Sequence, residues 1–315
     1  MAYLQYLDAP FISAPDTICV IVHGGLQNSE MKPLHRLPSA ASSSCVYPHA
    51  PDFETGVQVR AEAGRYCLRL AESAEDRDEA CRLRFKVFNI ELGEGLDESY
   101  ITGMDADQYD LFCDHLLVED KITGRVVGTY RMQSGPTAAR YLGYYSEQEF
   151  HLDPYEPLRP YVLELGRASI DREHRTPEVL TLLWRGIAQF ATQAGLRYLI
   201  GCSSLHSQCP ANGWEMYRQL HNFRVSPEFE TLPKGPYGCP ALALDTDAQS
   251  PAAVQQSQTQ PKIPRLLKAY LAIGARICAP PAWDREFGTI DFLTLLDIAA
   301  LSQAARNRFL APLAP

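Results

Sequence analysis

The stretch that decides the fold is Leu163-Glu164-Leu165-Gly166-Arg167, because it places two charges inside an apolar segment with the pattern of a strand. In a regular strand, residues i and i+3 face opposite sides, so Glu164 and Arg167 share a side only if a bulge intervenes. Gly166 is the kind of residue that a bulge or a close backbone approach uses. A bulge would splay the strand and free backbone N–H groups to bind a carbonyl oxygen that gains charge during acyl transfer.

Apolar periodicity on both sides of this stretch predicts a mixed α/β protein. The expected elements are a strand (66–70), a helix (76–92), a hairpin (115–118 and 126–132), a strand (161–170), a helix (178–194), a strand (197–203) and a helix (213–220). The strand–helix–strand unit over 161–203 should pair its two strands in parallel. The fold class is therefore α/β with a mixed sheet, followed by a C-terminal extension of helix (263–279), strand (288–296) and helix (299–310).

Composition divides the chain into four segments. Residues 1–60 contain Pro-, Ser- and Ala-rich pieces around one short strand-like run, 17–23, and are interpreted as an N-terminal extension. Residues 61–245 form the predicted main domain. Residues 246–262, rich in Ala, Gln, Ser and Thr, are interpreted as a linker, and residues 263–315 as an extension packed on the domain.

The overall composition excludes several classes of protein. With 315 residues, 46% hydrophobic, the chain is globular, and a net charge of −9 argues against a nucleic-acid partner. Nine scattered cysteines without a CxxC pair argue against a disulfide framework or a metal site and favour a reducing cytoplasm. The start of the chain lacks a signal peptide pattern, and no apolar run reaches the roughly 20 residues that span a bilayer. Any contact with the inner membrane is expected to be peripheral.

More charged residues lie at positions that a core would normally fill with apolar side chains. Arg131 lies in an apolar strand of the hairpin, and Arg84 and Phe88 share one helix face at i and i+4. Asp107 and Asp110 come just before the next strand. These groups have two interpretations, a substrate site or a structural ion-pair network that orders loops. His115, which opens that strand, and Cys202 are both interpreted as core residues.

Together these spacings resemble a known pattern. Arg84-x-x-x-Phe88, Asp107-x-x-Asp110, Gly128-Thr129-Tyr130-Arg131 and Glu164-x-x-Arg167 are similar to the acyl-homoserine lactone synthases and the long-chain N-acyl amino acid synthases. The chain resembles the bacterial ornithine N-acyltransferase group, often labelled hemolysin-like, more closely. That similarity includes residues 112–118 and 198–204 and a tail from Pro264 to Phe292, and it covers roughly residues 65–310.

The resemblance implies a GNAT-like acyltransferase fold and a direct transfer without a covalent enzyme intermediate. It implies acyl carrier protein as donor, with its acyl-phosphopantetheine rather than a permanently bound cofactor, and no metal. The acceptor would be the α-amine of an amino acid, with ornithine favoured, and the product a lyso-ornithine lipid carrying a long 3-hydroxyacyl chain. By match to the family, Glu164 is the candidate base, and Arg131 and Arg167 order the site or hold the acceptor carboxylate. The candidate substrate-binding residues are Arg84, Phe88, Asp107 and Asp110.

One segment departs from the pattern of GNAT enzymes that use acetyl-CoA. Those enzymes carry an Arg/Gln-x-x-Gly-x-Gly/Ala loop before the long helix, whereas residues 171–177 here contain no glycine. The departure weakens a nest for the CoA pyrophosphate and agrees with a carrier-protein donor, whose phosphopantetheine has no pyrophosphate. Arg172, Arg175 and Arg185 are candidates for contact with that acidic protein, and the alternative is an ordinary exposed loop.

Two other functions stay open on the sequence. The same chemistry fits an N-acyl amino acid synthase that uses glycine or another amine. A non-catalytic module on the same fold would bind acyl carrier protein or lipid and release no thiol with any amine.

Overall fold

The computed structural model describes residues 56–240 and 260–309, and its strands form one twisted sheet. The strands are β1 (Arg60–Ala63), β2 (Tyr66–Leu70), β3 (Asp114–Asp120), β4 (Arg125–Ser134), β5 (Val162–Ile170), β6 (Tyr198–Leu205), β7 (Arg276–Ile277), β8 (Ala282–Asp284) and β9 (Thr289–Asp297). Their spatial order is β1-β2-β3-β4-β5-β6-β9-β7, and β8 also pairs with β9. The β5–β6 pair is parallel and the other pairs are antiparallel.

The helices lie between and against these strands. They are α1 (Ala74–Phe85), α2 (Ser99–Thr102), α3 (Gly135–Arg140), α4 (Pro177–Gln193), α5 (Pro210–Gln219), α6 (Arg265–Ala272) and α7 (Gln303–Phe309). A π-helical segment, Lys86–Leu92, continues α1. None of the helices in the two described ranges combines the length and the apolar character needed to cross a membrane.

Helix α4 forms the principal core against the sheet. It begins where the Thr176 side chain accepts a hydrogen bond from the Val179 N–H, with Pro177 in the first turn. Its apolar face, with Leu183 and Phe190, packs against β2, β3 and β4. A side chain at Gly186 would meet Leu68 at 2.6 Å, so this glycine lets the helix approach the sheet closely.

The sheet divides where β5 and β6 separate. The two strands pair only from Val162–Tyr198 to Glu164–Ile200, although β5 continues to Ile170 and β6 to Leu205. Beyond Glu164, β6 keeps its other neighbour, β9, along its whole length. We call the wedge between the two diverging strands the β5–β6 fork. It is the place where a ligand can lie between two strands of one sheet.

Most elements predicted around the fork are confirmed, including the hairpin β3–β4, the parallel pair β5–β6 and the long helix α4. The helix predicted over 76–92 ends at Phe85 and continues in the π-helical form. The helix predicted over 263–279 is wrong in its second half. Gly274, at φ 111°, follows the end of α6, and Ile277 then pairs with β9.

The predicted C-terminal strand is confirmed as β9, and the last helix begins later than expected, at Gln303. The C-terminal segment therefore supplies a strand inside the sheet, between β6 and β7. The predicted strand at 17–23 and most of the predicted linker lie outside the described residues.

Candidate active site

A cavity of about 530 Å³ opens in the β5–β6 fork, a size typical of small-molecule sites. Residues 165–168 of β5 and 200–204 of β6 form its two walls. The lining includes an apolar group and a polar group that matter for its chemistry. The apolar group is Tyr130, Trp184, Leu199, Leu267, Tyr270 and Leu296, and the polar group is Arg131, Tyr145, Ser146, Glu164, Arg167, Asp284 and Asp291.

A β-bulge brings the charges of β4 and β5 to this cavity. Thr129 pairs with Ser169 but Arg131 pairs with Gly166, so β5 has one extra residue opposite Tyr130. Arg167 adopts φ 53°, a positive value uncommon for a residue with a side chain. The bulge predicted from the spacing of Glu164 and Arg167 is therefore present, and both side chains line the cavity with Arg131.

Arg84 anchors the buried end of an ion network behind the cavity. The side chain is 1% exposed, and its guanidinium donates to both carboxylate oxygens of Asp110, at 2.8 and 2.7 Å. Its Nε donates to Asp105 at 3.0 Å. Burial opposes ionisation of Asp110, but the guanidinium groups of Arg84 and Arg131 hold the pKa of Asp110 well below its ordinary range.

The network continues to the two arginines that line the cavity. Arg131 Nη1 donates to Asp107 at 2.7 Å and to Asp110 at 3.1 Å. Arg167 Nη2 donates to Asp107 at 3.1 Å, while its Nε, buried, makes no hydrogen bond among the described residues. Asp107 and Asp110 thus fix the arginines and do not themselves line the cavity. Three arginines meet three aspartates, so the network balances its own charge.

Glu164 is held by the turn that follows α3. Its carboxylate accepts hydrogen bonds from the Tyr145 N–H at 2.7 Å, the Ser146 N–H at 2.8 Å and the Ser146 hydroxyl at 2.6 Å. A carboxylate offers about four acceptor positions, so one stays free for a ligand. Burial raises the pKa of Glu164 above its ordinary value, although the bonds from Ser146 and Tyr145 oppose the rise.

Removing the Ser146 hydroxyl should raise the pKa of Glu164 further. The hydroxyl stabilises the charged carboxylate, so the Glu164 carboxyl is expected to ionise at a higher pH in the Ser146→Ala variant than in the wild type. Carboxyl NMR titration of Glu164 measures the shift. A matched Ser169→Ala variant removes a hydroxyl that donates to the Arg167 carbonyl instead, and it should leave the pKa of Glu164 unchanged. A Glu164 titration unmoved by Ser146→Ala would contradict the assigned hydrogen bonds.

His115 is the buried core residue expected from the sequence, whereas Cys202 is half-buried and lines the cavity. Burial lowers the pKa of His115 to about 4, so the ring is neutral at pH 7, with Nε2 3.2 Å from the Asp110 carbonyl oxygen. Burial raises the pKa of the Cys202 thiol well above its ordinary value, and the thiol donates to the Ser146 hydroxyl at 3.6 Å. Neither residue has the ionisation of a nucleophile or base at neutral pH.

The remaining candidate residues, one aromatic and three arginines, lie in separate parts of the fold. Phe88 lines the cavity and packs edge-on against Phe287, with ring centroids 5.6 Å apart. Arg172 and Arg175 are exposed in the loop before α4, where Arg175 pairs with Glu91. Arg185 lies farther along α4, and its Nε donates to a carbonyl of α7, so the structure does not bring it together with the other two.

Sequence reasoning missed one group at the cavity, the buried carboxylates of Glu149, Asp284 and Asp291. The signal was available for Asp291, which interrupts the otherwise apolar β9 in the same way as Glu164 interrupts β5. Glu149 gave no such signal because it lies in an irregular segment.

The chain matches known acyltransferases in sequence. The acetyltransferase (GNAT) domain family matches residues 83–185, which confirms the expected fold class. The L-ornithine N(alpha)-acyltransferase of Brucella abortus (strain 2308) is 31% identical over 258 residues, 77% of this chain and 90% of that protein. The protein of the same name from Rhizobium meliloti (strain 1021) is 32% identical over 250 residues, 76% of this chain and 83% of that protein.

Solved structures of low sequence identity resemble the chain more distantly. FeeM, an N-acyl amino acid synthase from uncultured soil microbes, has a TM-score of 0.45 at 11% identity and covers 79% of this chain and 97% of its own. The AHL synthase LasI has a TM-score of 0.43 at 12% identity and covers 80% of this chain and 98% of its own.

Proposed function

This chain belongs to the family of the L-ornithine N(alpha)-acyltransferases, and on that premise we propose that it acylates the α-amine of ornithine with an acyl group from acyl carrier protein. It is an N-acyltransferase of the GNAT type, which sets aside the alternative of a non-catalytic module. The observation that carries the proposal is that Arg167 lies in the bulge of β5, three residues after Glu164, and that both side chains line one cavity in the β5–β6 fork.

In this proposal Glu164 is the base. It accepts a proton from the α-ammonium of the acceptor, directly or through one water, and its raised pKa makes it a better base than an ordinary carboxylate. The free amine then attacks the thioester carbonyl. A C–N bond forms, the C–S bond breaks, and the thiol of phosphopantetheine leaves with a proton. Backbone N–H groups of the fork, where β5 and β6 no longer pair, stabilise the oxyanion.

Arg167 is the proposed partner of the acceptor carboxylate. Its guanidinium lines the cavity, and its Nε forms no hydrogen bond among the described residues, with Asp105 Oδ1 3.6 Å away. A guanidinium binds a carboxylate well. Its ring contacts, with centroids of Phe287 and Tyr145 at 4.5 and 5.1 Å, hold the guanidinium in place. Arg131 donates from Nη1 to both Asp107 and Asp110, so in this proposal it orders the site.

The apolar group of the cavity is the proposed site for the acyl chain. Trp184 and Tyr270 pack edge-on with centroids 5.3 Å apart, and the hydroxyls of Tyr130 and Tyr270 bond each other, which removes polar groups from this wall. A long 3-hydroxyacyl chain transferred to ornithine would give a lyso-ornithine lipid, and peripheral contact with the inner membrane would give that product a place to leave.

The start of α4 favours a carrier-protein donor over CoA. The Val179 N–H already donates to the Thr176 side chain, and Pro177 has no N–H to offer. The first turn also carries Glu178, an acid where a pyrophosphate would lie. Arg172 is exposed beside it and forms no ion pair closer than 4.0 Å within residues 56–240 and 260–309. It is available to an acidic protein surface.

Charge reversal at Arg172 tests the donor. The Arg172→Glu variant should raise KM for acyl carrier protein by roughly tenfold at low salt, less at high salt, because an attractive rim charge becomes repulsive. The reaction with a small acyl-pantetheine thioester should not change. Arg218→Glu, an exposed charge reversal on α5, is the control. Equal effects of both variants on the carrier protein would count against this surface.

Mass spectrometry of lipids from a host that expresses the chain tests the product and the acceptor together. A new lipid with the mass of an N-acylated ornithine supports the proposal. A new N-acyl glycine or another N-acyl amine would instead support the second function left open by the sequence.

A further inference from the structure

Three buried carboxyl groups lie together beside the cavity. Glu149, Asp284 and Asp291 are 2%, 6% and 5% exposed. In the part of the chain that the structure describes, none of them has an ion pair closer than 4.0 Å. Arg167 favours the charged form of Glu149 electrostatically, but it pairs with Asp105 and Asp107. The arginine network balances its own charge, and His206, whose pKa is raised mainly by Glu94 and to a lesser extent by Asp291, is paired with Glu94. The acidic group therefore has no counter-ion of its own among the described residues.

Two oxygens of this group have no donor among the described residues other than a proton that the two carboxyls can share, Glu149 Oε2 and Asp291 Oδ1. Burial and the nearby carboxyls raise the pKa of Glu149 well above its ordinary value, and burial raises the pKa of Asp291 to about 6. Ligand atoms of Glu149, Asp291 and Cys202 lie within 4.8 Å of one another, and Asp291 and Cys202 line the cavity. A bound group that donates hydrogen bonds and carries positive charge can take the place of that proton.

The acidic group lies close to the proposed base. The Ser146 hydroxyl that donates to Glu164 at 2.6 Å also accepts from the Cys202 thiol at 3.6 Å, and Cys202 adjoins Glu149 and Asp291. Two side chains therefore separate the proposed base from the acidic group. A small molecule with one amine at Glu164 can present a second positive group to Asp291 in the same cavity.

We propose that Glu149, Asp284 and Asp291 bind the side-chain ammonium of a diamino-acid acceptor, so that they select a doubly aminated substrate and leave its α-amine at Glu164. This inference rests on the proposed function and names the acceptor-recognition residues of that site. An ammonium group has three donors, which suits Glu149 Oε2, Asp291 Oδ1 and a third acceptor once the proton shared by the two carboxyls has left.

An ammonium fits this group better than a metal ion. The Cys202 sulfur is a protonated thiol that donates to Ser146, whereas a metal ligand is a thiolate. Asp284 Oδ1 already accepts two backbone N–H groups, from Glu286 at 2.9 Å and Phe287 at 2.8 Å. Few oxygens are left for the six or more that a hard divalent cation takes.

Binding calorimetry with L-ornithine and with norvaline, which has the same carbon chain without the second amine, tests the proposal. Wild type should bind ornithine about 30-fold or more tighter than norvaline, because losing one partner of a buried charged hydrogen bond has an effect of that size. Asp291→Asn should reduce this ratio to a few-fold. Asp297→Asn, the same change on the same strand at a surface ion pair with Arg197, is the matched control and should keep the ratio.

A thermal melt separates a ligand role from a structural one. If the acidic group serves a ligand, Asp291→Asn relieves repulsion among the buried carboxyls and should raise the unfolding temperature of the ligand-free protein. A structural role would lower it. A lowered temperature together with an unchanged ornithine-to-norvaline ratio would overturn the inference.

The remaining outcomes distinguish this inference from the proposed function. Equal binding of norvaline and ornithine by wild type overturns the inference even if both amines are acylated. Discrimination in binding without acyl transfer to ornithine supports the inference and overturns the proposed function. Discrimination that disappears when metal is removed with EDTA assigns the acidic group to a metal and overturns the inference.

Discussion

Replacing Glu164 with glutamine is expected to lower kcat/KM for acyl transfer by about 10²- to 10⁴-fold, the usual contribution of a general base. The amide has nearly the shape of the carboxylate but cannot accept the proton of the acceptor ammonium. Assay of thiol release from the acyl donor measures the loss. Glu156→Gln, the same change at an exposed ion pair with Arg159, should keep nearly full activity.

A pH profile shows whether Glu164 acts as the base or only holds the turn at Tyr145 and Ser146. Because burial raises the pKa of Glu164, activity should fall on the acid side at a pH above the ordinary range of a glutamate. Ser146→Ala should move this acid limb to still higher pH. If Glu164 were purely structural, Ser146→Ala would lower activity without moving the acid limb of the pH profile. Full activity of the Glu164→Gln variant would refute the assignment of Glu164 as the base.

The second large effect is expected on stability. Asp110→Ala should lower the free energy of unfolding by about 3–5 kcal/mol, since it leaves Arg84 and Arg131 buried without their shared carboxylate. Urea denaturation measures the change from the midpoint at constant slope. Asp78→Ala on α1, which loses only an exposed pair with Arg82, should cost less than about 1 kcal/mol.

The contribution of Asp110 should also depend on pH. Its pKa is lowered in the folded protein, so its stabilisation is fully present above the ordinary unfolded value of about 3.9 and is lost as pH falls toward the lower folded value. The difference in stability between wild type and Asp110→Ala should therefore narrow in strong acid. A difference independent of pH, or equal to that of Asp78→Ala, would show that the network does not stabilise the fold.

The sequence was sufficient to predict the parallel strand pair and the bulge that form the fork, because both depend on local pattern. Glu164 and Arg167 stand at a spacing that a regular strand cannot put on one side, and the register shift opposite Tyr130 is the result. The strand–helix–strand unit predicts parallel pairing by its handedness alone, and β5 and β6 obey it. Arg131 was visible as a charge within an apolar strand.

The charged residues had two interpretations, a substrate site and a structural ion-pair network, and the structure shows that different residues lie at the cavity and behind it. Arg84, Asp107 and Asp110 form the ion network that a structural interpretation predicts, and they lie behind the cavity. Arg131, Arg167 and Glu164 line the cavity, and their catalytic roles stay predictions. Spacing cannot separate these groups because burial behind a wall and exposure to a cavity are properties of the packed sheet.

Contacts between distant parts of the chain could not be predicted. Glu149 and Asp291 come together only because β9, from the C-terminal segment, inserts beside β6 and faces the turn after α3. The sequence predicts β9 as a strand but does not name its partner. Likewise, the helix that ends at Ala272 has a continuing apolar pattern, and only the pairing of Ile277 with Thr294 turns the chain into a strand.

The most direct test of the account is a reconstituted reaction of the purified protein with 3-hydroxyacyl carrier protein and L-ornithine, analysed by tandem mass spectrometry. The account predicts release of the carrier thiol together with N-acyl ornithine whose fragments place the acyl group on the α-amine. Thiol release with glycine but not with ornithine, or an acyl group on the side-chain amine, would contradict it.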